Sequence, residues 1–483
     1  MKIKNLRADI GIFILFTLCL SAPILFQNLS VMDELWNFSF AKNIVDGLIP
    51  YKEYNMLQTP LAPYIASVFL HIFGSELIIM RILCLINIVL IFFIAYKILA
   101  KLKCNKIISC TMMIFMAMFY CFATSLIYDY NNLTLLFLLI ILYLEIENNF
   151  LSKEKEVLTY FFIGILAALA FLSKQSTGLM IIVSVMVNCL FHKKWLTFKW
   201  KLIGVLLPLI LFFAWLLINN NLYYFWEYTI AGIPSFMNNS VPYWNFIFMG
   251  ITNTIIGLAI PLFLIIAVIY TVKNKDDSQL NIRKTISICC AGMTIAYPIA
   301  DPHHVYIGAF PIIFLFYMII KGKVKIKIPS YSWVCIGIAV CFFLSYSFWQ
   351  FKSEPSGIVF SKLNHFKYIR ISDPLQDEII LINDFIIEEK KNGNEVYIID
   401  SNATLYKLPI DYYHANYDLF LYGNIGLKSP IQFIREINKE NTVILMLGDV
   451  DPLNWQFPIE VVEEVKNSFY KINHVGGFSV YKK

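Results

Sequence analysis

Long apolar stretches recur along most of this chain and constrain its fold more than any other feature. Segments near the length that crosses a lipid bilayer, about 20 residues, follow one another from Ile10 to Trp349. Apolar residues make up 58% of the chain and charged residues only 15%, whereas a soluble domain carries about a quarter charged residues. The sequence therefore predicts a polytopic α-helical membrane protein, and its net charge of +6 does not indicate a nucleic-acid partner.

The hydrophobic pattern predicts about eleven transmembrane helices. We expect them near residues 10–27, 77–99, 107–127, 130–146, 157–173, 176–191, 201–218, 246–271, 284–300, 303–320 and 331–349. The Leu61–Phe73 segment is too short to cross and begins after Pro60, so we expect it to lie along the outer membrane interface. The first external loop then runs from about residue 27 to 76.

The distribution of Lys and Arg predicts the orientation. Short external loops contain only Lys42, Lys52 and Lys174. The loops assigned to the cytoplasm contain Lys101, Lys103, Lys106, Lys153, Lys155, Lys193, Lys194, Lys199, Lys201, Lys273, Lys275, Arg283, Lys284, Lys321, Lys323, Lys325 and Lys327. Because cytoplasmic loops are enriched in these residues, we expect the N-terminus inside and the C-terminus outside a plasma membrane. The bias toward Lys, Ile and Asn fits a low-GC bacterium.

The chain becomes much more polar near Phe351, which divides it into a membrane domain, residues 1–351, and a C-terminal domain, residues 352–483. Helical periodicity from Gln376 to Lys391 is followed by a strand-like run from Val396 to Asp400. Further strands are predicted at residues 442–447 and 478–481, with a helix at 457–468. This alternation predicts a small extracytoplasmic α/β domain.

Two adjacent carboxylates, Asp33 and Glu34, follow the first apolar stretch. A carboxylate near apolar surface has a raised proton affinity and can act as a general base. Asp33 is the first candidate for that role, and Glu34 could orient it, share a metal or bind the acceptor. The alternative is an acidic pair in the first turn of a helix, where the helix dipole favours negative charge.

Two cations at the predicted outer surface are candidates for binding a phosphate. Lys174 is isolated between two apolar runs, and Arg81 lies at the start of the second predicted span. Lys174 could stabilise a leaving phosphate, or it could be an interfacial lysine with its ammonium in water. Arg81 could join Lys174 at the phosphate or pair with Glu76.

Asp129, His303 and His304 complete the predicted external site. Asp129 could be a second acid, or it could hydrogen-bond Asn131 or Asn132 in a turn. The two histidines could bind phosphate or a metal, although two neighbouring histidines are weak metal evidence and also fit a hydrogen-bonded turn. A divalent metal is therefore left open. The cysteines lie almost entirely in apolar runs, which argues against a disulfide framework or a Cys metal site.

Several of these motifs together resemble one family. Asp33-Glu34 after the first span, Gly47-Leu48-Ile49-Pro50-Tyr51, the Pro60-led helix, Arg81 and the Lys174 turn (Phe171 to Gly178) are similar to GT-C glycosyltransferases. Within that group, the chain resembles most the family-39-like enzymes. These include protein O-mannosyltransferases and the aminoarabinose transferase that acts on lipid A. The resemblance covers the membrane part of the chain.

The resemblance implies an inverting sugar transfer from a polyprenyl-phosphate donor, with Asp33 as the base. The acceptor would be a cell-envelope glycan, a glycolipid or a protein. One departure concerns Gln58-Thr59-Pro60: relatives of the aminoarabinose branch carry an acid and a Lys just before the corresponding Pro. The phosphate contact is then expected from Lys174 or Arg81, and lipid A is disfavoured as acceptor.

Two other functions stay open from the sequence. A transporter or flippase of lipid-linked sugars needs polar groups inside its spans, and the predicted spans contain few. A non-catalytic membrane protein of envelope assembly could use its C-terminal domain to bind a partner. Deleting residues 352–483 and assaying the membrane part separates this possibility from an enzyme.

Overall fold

The structure is a computed structural model that describes residues 2–146, 153–192, 195–232, 241–274, 279–321, 357–412, 429–447 and 459–483. The predicted span at residues 331–349 lies outside the described residues. Within them, each of the other ten predicted spans is helical.

Apart from α2, the helices up to residue 218 match the predicted apolar segments. They are α1 (Lys2–Leu25), α2 (Asp33–Val45), α3 (Leu61–Phe73), α4 (Leu77–Lys101), α5 (Lys106–Ala123), α6 (Tyr130–Glu145), α7 (Lys153–Ser173), α8 (Gln175–His192) and α9 (Trp195–Ile218). The predicted interfacial segment forms α3 with the bounds read from the sequence. Its Val68, Ile72 and Phe73 are exposed, whereas Ala66 and Leu70 are buried, as expected for a helix with one face against protein.

The remaining helices follow residue 218. They comprise Leu222–Trp226, the π-helix Glu227–Ala231, Tyr243–Phe248, Ile251–Lys273, Leu280–Met293, Pro302–Ala309, Ile312–Ile320, Asp373–Lys391, Ala403–Lys407, Ser429–Ile437 and Ile459–Ser468, with single 3-10 turns at Thr294–Ala296 and Leu408–Ile410. The predicted span at 246–271 is broken at Gly250, which has a φ of 110°. The span at 303–320 bends by 41° beside Pro311, whose missing N–H interrupts the helical hydrogen bonds.

Among the described residues, four helices are long and apolar enough to cross a membrane alone: Leu77–Lys101, Glu154–Ser173, Trp195–Ile218 and Ile251–Lys273. The bent pair near Pro311 makes a fifth if it counts as one span. The other apolar helical stretches are 10–17 residues long: Asp9–Leu25, Leu61–Phe73, Ile108–Ala123, Tyr130–Glu145 and Gln175–Leu190. The total of eleven crossings therefore stays a prediction.

The chain forms two compact units. The first consists of Met1–Leu25, Cys84–Trp215 and Ser240–Trp349, and the second of Phe26–Leu83, Leu216–Asn239 and Gln350–Lys483. The chain passes from one unit to the other several times, and the predicted boundary at residue 351 coincides with one of these passages.

Close backbone contact between helices characterises the first unit. Gly164 in α7 and Gly204 in α9 face each other, and a Cβ on either glycine would collide with a carbonyl oxygen of the opposite helix. Small residues at such crossings let apolar helices approach closely, which is the main source of packing energy between membrane helices.

The first unit also buries an ion cluster where three helices meet. Glu145 ends α6, Lys201 lies in α9 and Lys284 lies in the helix Leu280–Met293. The Glu145 carboxylate pairs with Lys201 Nζ through one oxygen, and its other oxygen lies 3.7 Å from Lys284 Nζ. All three side chains are buried. Lys201 and Lys284 were predicted to mark cytoplasmic loops, and the structure shows that both also hold helices together.

The second unit contains the β-structure. Strands β1 (Ile358–Phe360) and β2 (Arg370–Ser372) form an antiparallel pair. Strands β3 (Glu395–Ile399), β4 (Thr442–Leu447), β5 (Tyr470–Val475) and β6 (Phe478–Lys482) form a sheet in the order β3-β4-β6-β5. The strands predicted at 396–400, 442–447 and 478–481 are therefore confirmed.

The sheet packs against helices through alternating residues. Tyr397, Ile399 and Ile444 form a buried cluster with Phe433 and Val461 from the helices Ser429–Ile437 and Ile459–Ser468. Successive strand residues point to opposite faces, so one face of the sheet supplies this core. The extracytoplasmic location of the domain stays a prediction.

Glu145→Gln tests the buried ion cluster. The substitution leaves two buried lysines without their carboxylate, and we expect a loss of about 3–5 kcal/mol of stability. Glu154→Gln, at an exposed position of α7, is the matched control. Thermal unfolding in detergent measures both, and equal melting temperatures would show that Glu145 is not needed to balance the lysines.

Candidate functional site

Asp33 is the first residue of α2 and is exposed. Met32, directly before it, has a φ of 74°, in the left-handed region that residues other than glycine rarely adopt. The Asp33 carbonyl accepts a hydrogen bond from Asn37 Nδ2 at 2.7 Å. Strained backbone conformations are concentrated at functional positions, which supports Asp33 as a candidate.

Glu34 is buried in the same turn and binds Arg81. Its Oε1 accepts a hydrogen bond from Arg81 Nε at 2.7 Å, and its Oε2 accepts one from Arg81 Nη2 at 3.0 Å. The Ser30 N–H also donates to Oε2, at 3.0 Å. The predicted alternative partner of Arg81, Glu76, instead pairs with Lys367. Two-point pairing with a carboxylate is the strongest geometry available to a guanidinium, so Glu34 is the main charged partner of Arg81.

Two buried arginines hold the loop that leads to Asp33. Arg81 Nη1 and Nη2 donate to the carbonyl oxygens of Gln27 and Asn28 at 2.6 and 3.2 Å. Arg370, at the start of β2, donates from Nη1 to the carbonyl oxygen of Phe26 at 2.6 Å. Three consecutive carbonyls are thus satisfied by guanidinium groups, which fixes the approach to α2.

Lys174 lies in the first unit, in the turn between α7 and α8, and is buried. Its Nζ donates to Asn131 Oδ1 at 2.8 Å and to the carbonyl oxygen of Ile295 at 2.7 Å. The Tyr130 ring centroid lies 5.4 Å from Nζ. An ammonium has three N–H donors, so within the described residues one donor is left for a ligand.

Burial lowers the pKa of Lys174 to about 7, even though the charges of Asp129 and Asp301 act in the opposite direction. The hydrogen-bond acceptors of the ammonium among the described residues are neutral, so its charge is compensated only in part, through the charges of Asp129 and Asp301. A bound anion is the partner that would stabilise it.

Asp129 caps the N-terminus of α6. Its Oδ1 accepts from the Asn132 N–H at 2.8 Å, and its Oδ2 accepts from Asn131 Nδ2 at 2.7 Å. Burial raises the pKa of Asp129, but the bonds from His303, Asn132 and Asn131 outweigh it, and the pKa lies below its ordinary value. This arrangement supports the predicted alternative, a hydrogen-bonded turn, because a carboxylate stabilised in its charged form is a poor base.

The two histidines have different partners. The Ser125 N–H donates to His303 Nδ1 at 2.9 Å, and His303 Nε2 lies 3.4 Å from Asp129 Oδ2. His304 Nδ1 lies 2.7 Å from Asp301 Oδ1, and Asp301 also caps the helix that begins at Pro302. Both histidines thus occupy a hydrogen-bonded turn next to the Lys174 network.

The structure therefore places the predicted residues in two groups. In the first unit, Asn131 links Lys174 to Asp129, and Asp129 contacts His303, with His304 beside it. Asp33, Glu34 and Arg81 lie in the second unit. Sequence reasoning missed Arg370, which stands in a polar segment without a motif. Among the described residues, no group of three or more His, Cys, Asp or Glu side chains is placed to hold a metal ion.

Comparisons with known proteins show the same fold. Residues 57–218 match the family model for dolichyl-phosphate-mannose-protein mannosyltransferase. The structure of ArnT from Cupriavidus metallidurans bound to undecaprenyl phosphate is similar, with a TM-score of 0.54 and 8% identity over 99% of this chain and 98% of that chain. The apo ArnT of the same organism has a TM-score of 0.51 and 11% identity over 98% of each chain.

An oligosaccharyltransferase from Archaeoglobus fulgidus, in complex with Zn and sulfate, has a TM-score of 0.50 and 11% identity over 98% of this chain and 72% of that chain. No curated protein sequence is significantly similar. The chain has the fold of the GT-C glycosyltransferases, so the resemblance identified from the sequence is confirmed. This fold and the apolar helices indicate a multi-pass membrane protein.

Glu34→Gln tests the buried pair with Arg81. It leaves a guanidinium that is 1% exposed without a counter-charge, and we expect a loss of about 3–5 kcal/mol of stability. In the control, Glu76→Gln removes the partner of Lys367, whose side chain is 47% exposed, at a cost of about 0–1 kcal/mol. Thermal unfolding compares them, and similar losses would contradict a special role for Glu34.

The lowered pKa of Lys174 predicts a pH-dependent stability. Between pH about 7 and its ordinary pKa of 10.5, the unfolded chain binds a proton that the folded protein does not, so this group increases stability as pH rises through that window. Lys174→Met removes the effect. We expect the melting temperature of the wild type, relative to this variant, to rise between pH 7 and pH 9. A constant difference would mean that Lys174 keeps its ordinary pKa.

Proposed function

We propose that this protein is an integral membrane glycosyltransferase that transfers a sugar from a polyprenyl-phosphate donor, with inversion, to an extracytoplasmic acceptor. The observation that carries the proposal is Lys174, a buried ammonium held by an amide and a carbonyl oxygen within a GT-C fold. The structurally similar ArnT is bound to undecaprenyl phosphate, which supports a lipid phosphate as the ligand of this protein as well.

Lys174 is the better candidate for the donor phosphate than Arg81. The charge of Arg81 is already balanced by Glu34 at two points, whereas the described hydrogen-bond acceptors of Lys174 are neutral. A phosphate oxygen can accept the third N–H of Lys174 and supply the missing negative charge. The same contact becomes stronger as the sugar leaves, because negative charge develops on the phosphate.

Asp33 is the proposed base. It is exposed at the start of α2, while the adjacent Glu34 is held by Arg81, so Glu34 is a positioning residue and Asp33 keeps access to an acceptor hydroxyl. Asp33 accepts the hydroxyl proton, and the oxygen bonds to the anomeric carbon on the face opposite the phosphate. The bond from that carbon to the phosphate oxygen breaks, and its electron pair remains on the phosphate.

The acceptor class follows from the predicted topology. With the first loop and the C-terminal domain outside the plasma membrane, the acceptor is an envelope glycan, a glycolipid or a protein. Mass spectrometry of envelope glycans from a deletion strain identifies the missing sugar.

Asp33→Asn tests the enzyme. Removing a general base typically costs about 10²–10⁴-fold in rate, and we expect a loss of this size while the protein still inserts. Asp46→Asn is the control, since Asp46 lies at the end of the same helix and pairs with Lys42. Transfer from a radiolabelled polyprenyl-phosphate sugar in proteoliposomes measures both variants. Near-normal transfer by Asp33→Asn removes Asp33 from the mechanism.

A transporter of lipid-linked sugars is the second candidate, favoured by the buried Glu145 cluster, because charged groups among membrane helices often mark transport pathways. The same proteoliposomes distinguish the two. A transporter moves the labelled donor between leaflets without forming product, whereas the enzyme converts it.

A further inference from the structure

We propose that His304, held by Asp301, donates a proton to the departing lipid phosphate, whereas its neighbour His303 only positions Asp129. The inference rests on the proposed function and extends it. It assigns opposite roles to two adjacent histidines that the sequence alone treats as equivalent phosphate-binding candidates.

The hydrogen bond of His304 fixes which ring nitrogen is available. Asp301 Oδ1 lies 2.7 Å from Nδ1, and a carboxylate with a lowered pKa can only accept. Nδ1 therefore carries a hydrogen, and Nε2 has no hydrogen-bond partner within the described residues. The side chain of His304 is 14% exposed, so part of it is open to a ligand. This is the arrangement by which a carboxylate holds an imidazole for proton transfer.

His303 is constrained in the opposite way. The Ser125 N–H donates to Nδ1 at 2.9 Å, and a backbone N–H can only donate, so Nδ1 carries no hydrogen. The hydrogen is then on Nε2, which faces Asp129 Oδ2 at 3.4 Å. A second proton on this ring would break the Ser125 bond. His303 is therefore a neutral donor to Asp129 and a positioning residue.

The charges around His304 place it beside the proposed phosphate site. The charge of Asp301 acts on Lys174, and around His304 the Asp301 charge favours the imidazolium whereas the charges of Lys174 and His303 oppose it. The His303 and His304 rings pack edge to face with centroids 5.1 Å apart. A phosphate that binds Lys174 therefore lies within the electrostatic reach of His304, and its negative charge favours the imidazolium.

The proposed step balances as follows. As the anomeric carbon–oxygen bond breaks, the phosphate oxygen keeps the electron pair and takes the proton from Nε2 of the His304 imidazolium. His304 becomes neutral with Nδ1–H still on Asp301, and solvent later returns a proton to Nε2. The second pKa of a phosphate monoester is about 6, so the departing phosphate is basic enough to accept this proton.

His304→Asn is the decisive variant. An asparagine amide can still donate to Asp301 in place of Nδ1, but it has no counterpart of Nε2. We expect kcat to fall by about 10²-fold or more with the donor KM little changed, and the decline of kcat at alkaline pH to disappear. Because kcat reports groups in the donor complex, where the bound phosphate keeps Lys174 charged, this decline reports loss of the imidazolium. The assay uses a synthetic short-chain polyprenyl-phosphate sugar and the purified full-length protein.

Two further variants separate proton transfer from structure. His303→Gln retains an amide donor near the position of Nε2 toward Asp129, and we expect it to keep most of the activity and the wild-type pH profile. Asp301→Asn preserves a good helix cap but removes the charge that stabilises the imidazolium, so the alkaline limb should move to lower pH. Thermal unfolding verifies that each variant folds.

The outcomes separate a failure of this inference from a failure of the proposed function on which it rests. If the wild type transfers no sugar, the proposed function fails. If the wild type is active and His304→Asn keeps its kcat and alkaline limb, only the proton-donor role is overturned. A folded His304→Asn protein that loses rate but keeps the limb likewise overturns it, because His304 would then be structural.

Discussion

The cost of burying charge in an apolar protein is the constraint on which the structure of this chain depends. Moving an isolated ion from water to a protein interior costs several kcal/mol of solvation free energy, even after the protein relaxes around it. The buried cations Arg81, Lys174, Lys201 and Lys284 are matched in different ways, and these differences separate structural groups from candidate functional ones.

Three arrangements illustrate the distinction. Arg81 is matched by the carboxylate of Glu34 at two points, and Lys201 and Lys284 share Glu145. Lys174, in contrast, has an amide oxygen and a carbonyl oxygen, and burial lowers its pKa to about 7. A cation that is paired with a carboxylate stabilises the fold and has less to gain from an anionic ligand. The ammonium of Lys174 gains the most free energy from an anionic ligand, which is why we propose Lys174 rather than Arg81 as the phosphate-binding group.

Hydrophobic segment length predicts much of the fold. The positions of α4, α6 and α9 follow from it, because a helix is the cheapest way to satisfy backbone polar groups in an apolar setting. The break at Gly250 is less visible from hydropathy, since it depends on one backbone conformation. The pairing of Glu145 with Lys201 and Lys284 joins residues far apart in the chain, and a periodic pattern contains no such information.

The candidate site shows the same division. Charges are rare in the short loops that are predicted to be external. For this reason Asp33, Asp129 and Lys174 stand out in the sequence. Their hydrogen-bond partners decide what each can do, and those partners are distant: Ile295 for Lys174, His303 for Asp129. Sequence reasoning could pose the alternatives for Asp129, but only the three-dimensional arrangement favours the helix cap.

The contact between Arg370 and the carbonyl oxygen of Phe26 joins residues 344 positions apart. During synthesis on the ribosome, the loop before Asp33 emerges before this partner and lacks it until 344 further residues have been made. At translation rates of about 5–20 residues per second, the delay is roughly 20–70 seconds. The nascent chain therefore makes the intervening helices before the segment around Asp33 is completed, and that segment acquires its Arg370 contact only when β2 has been made.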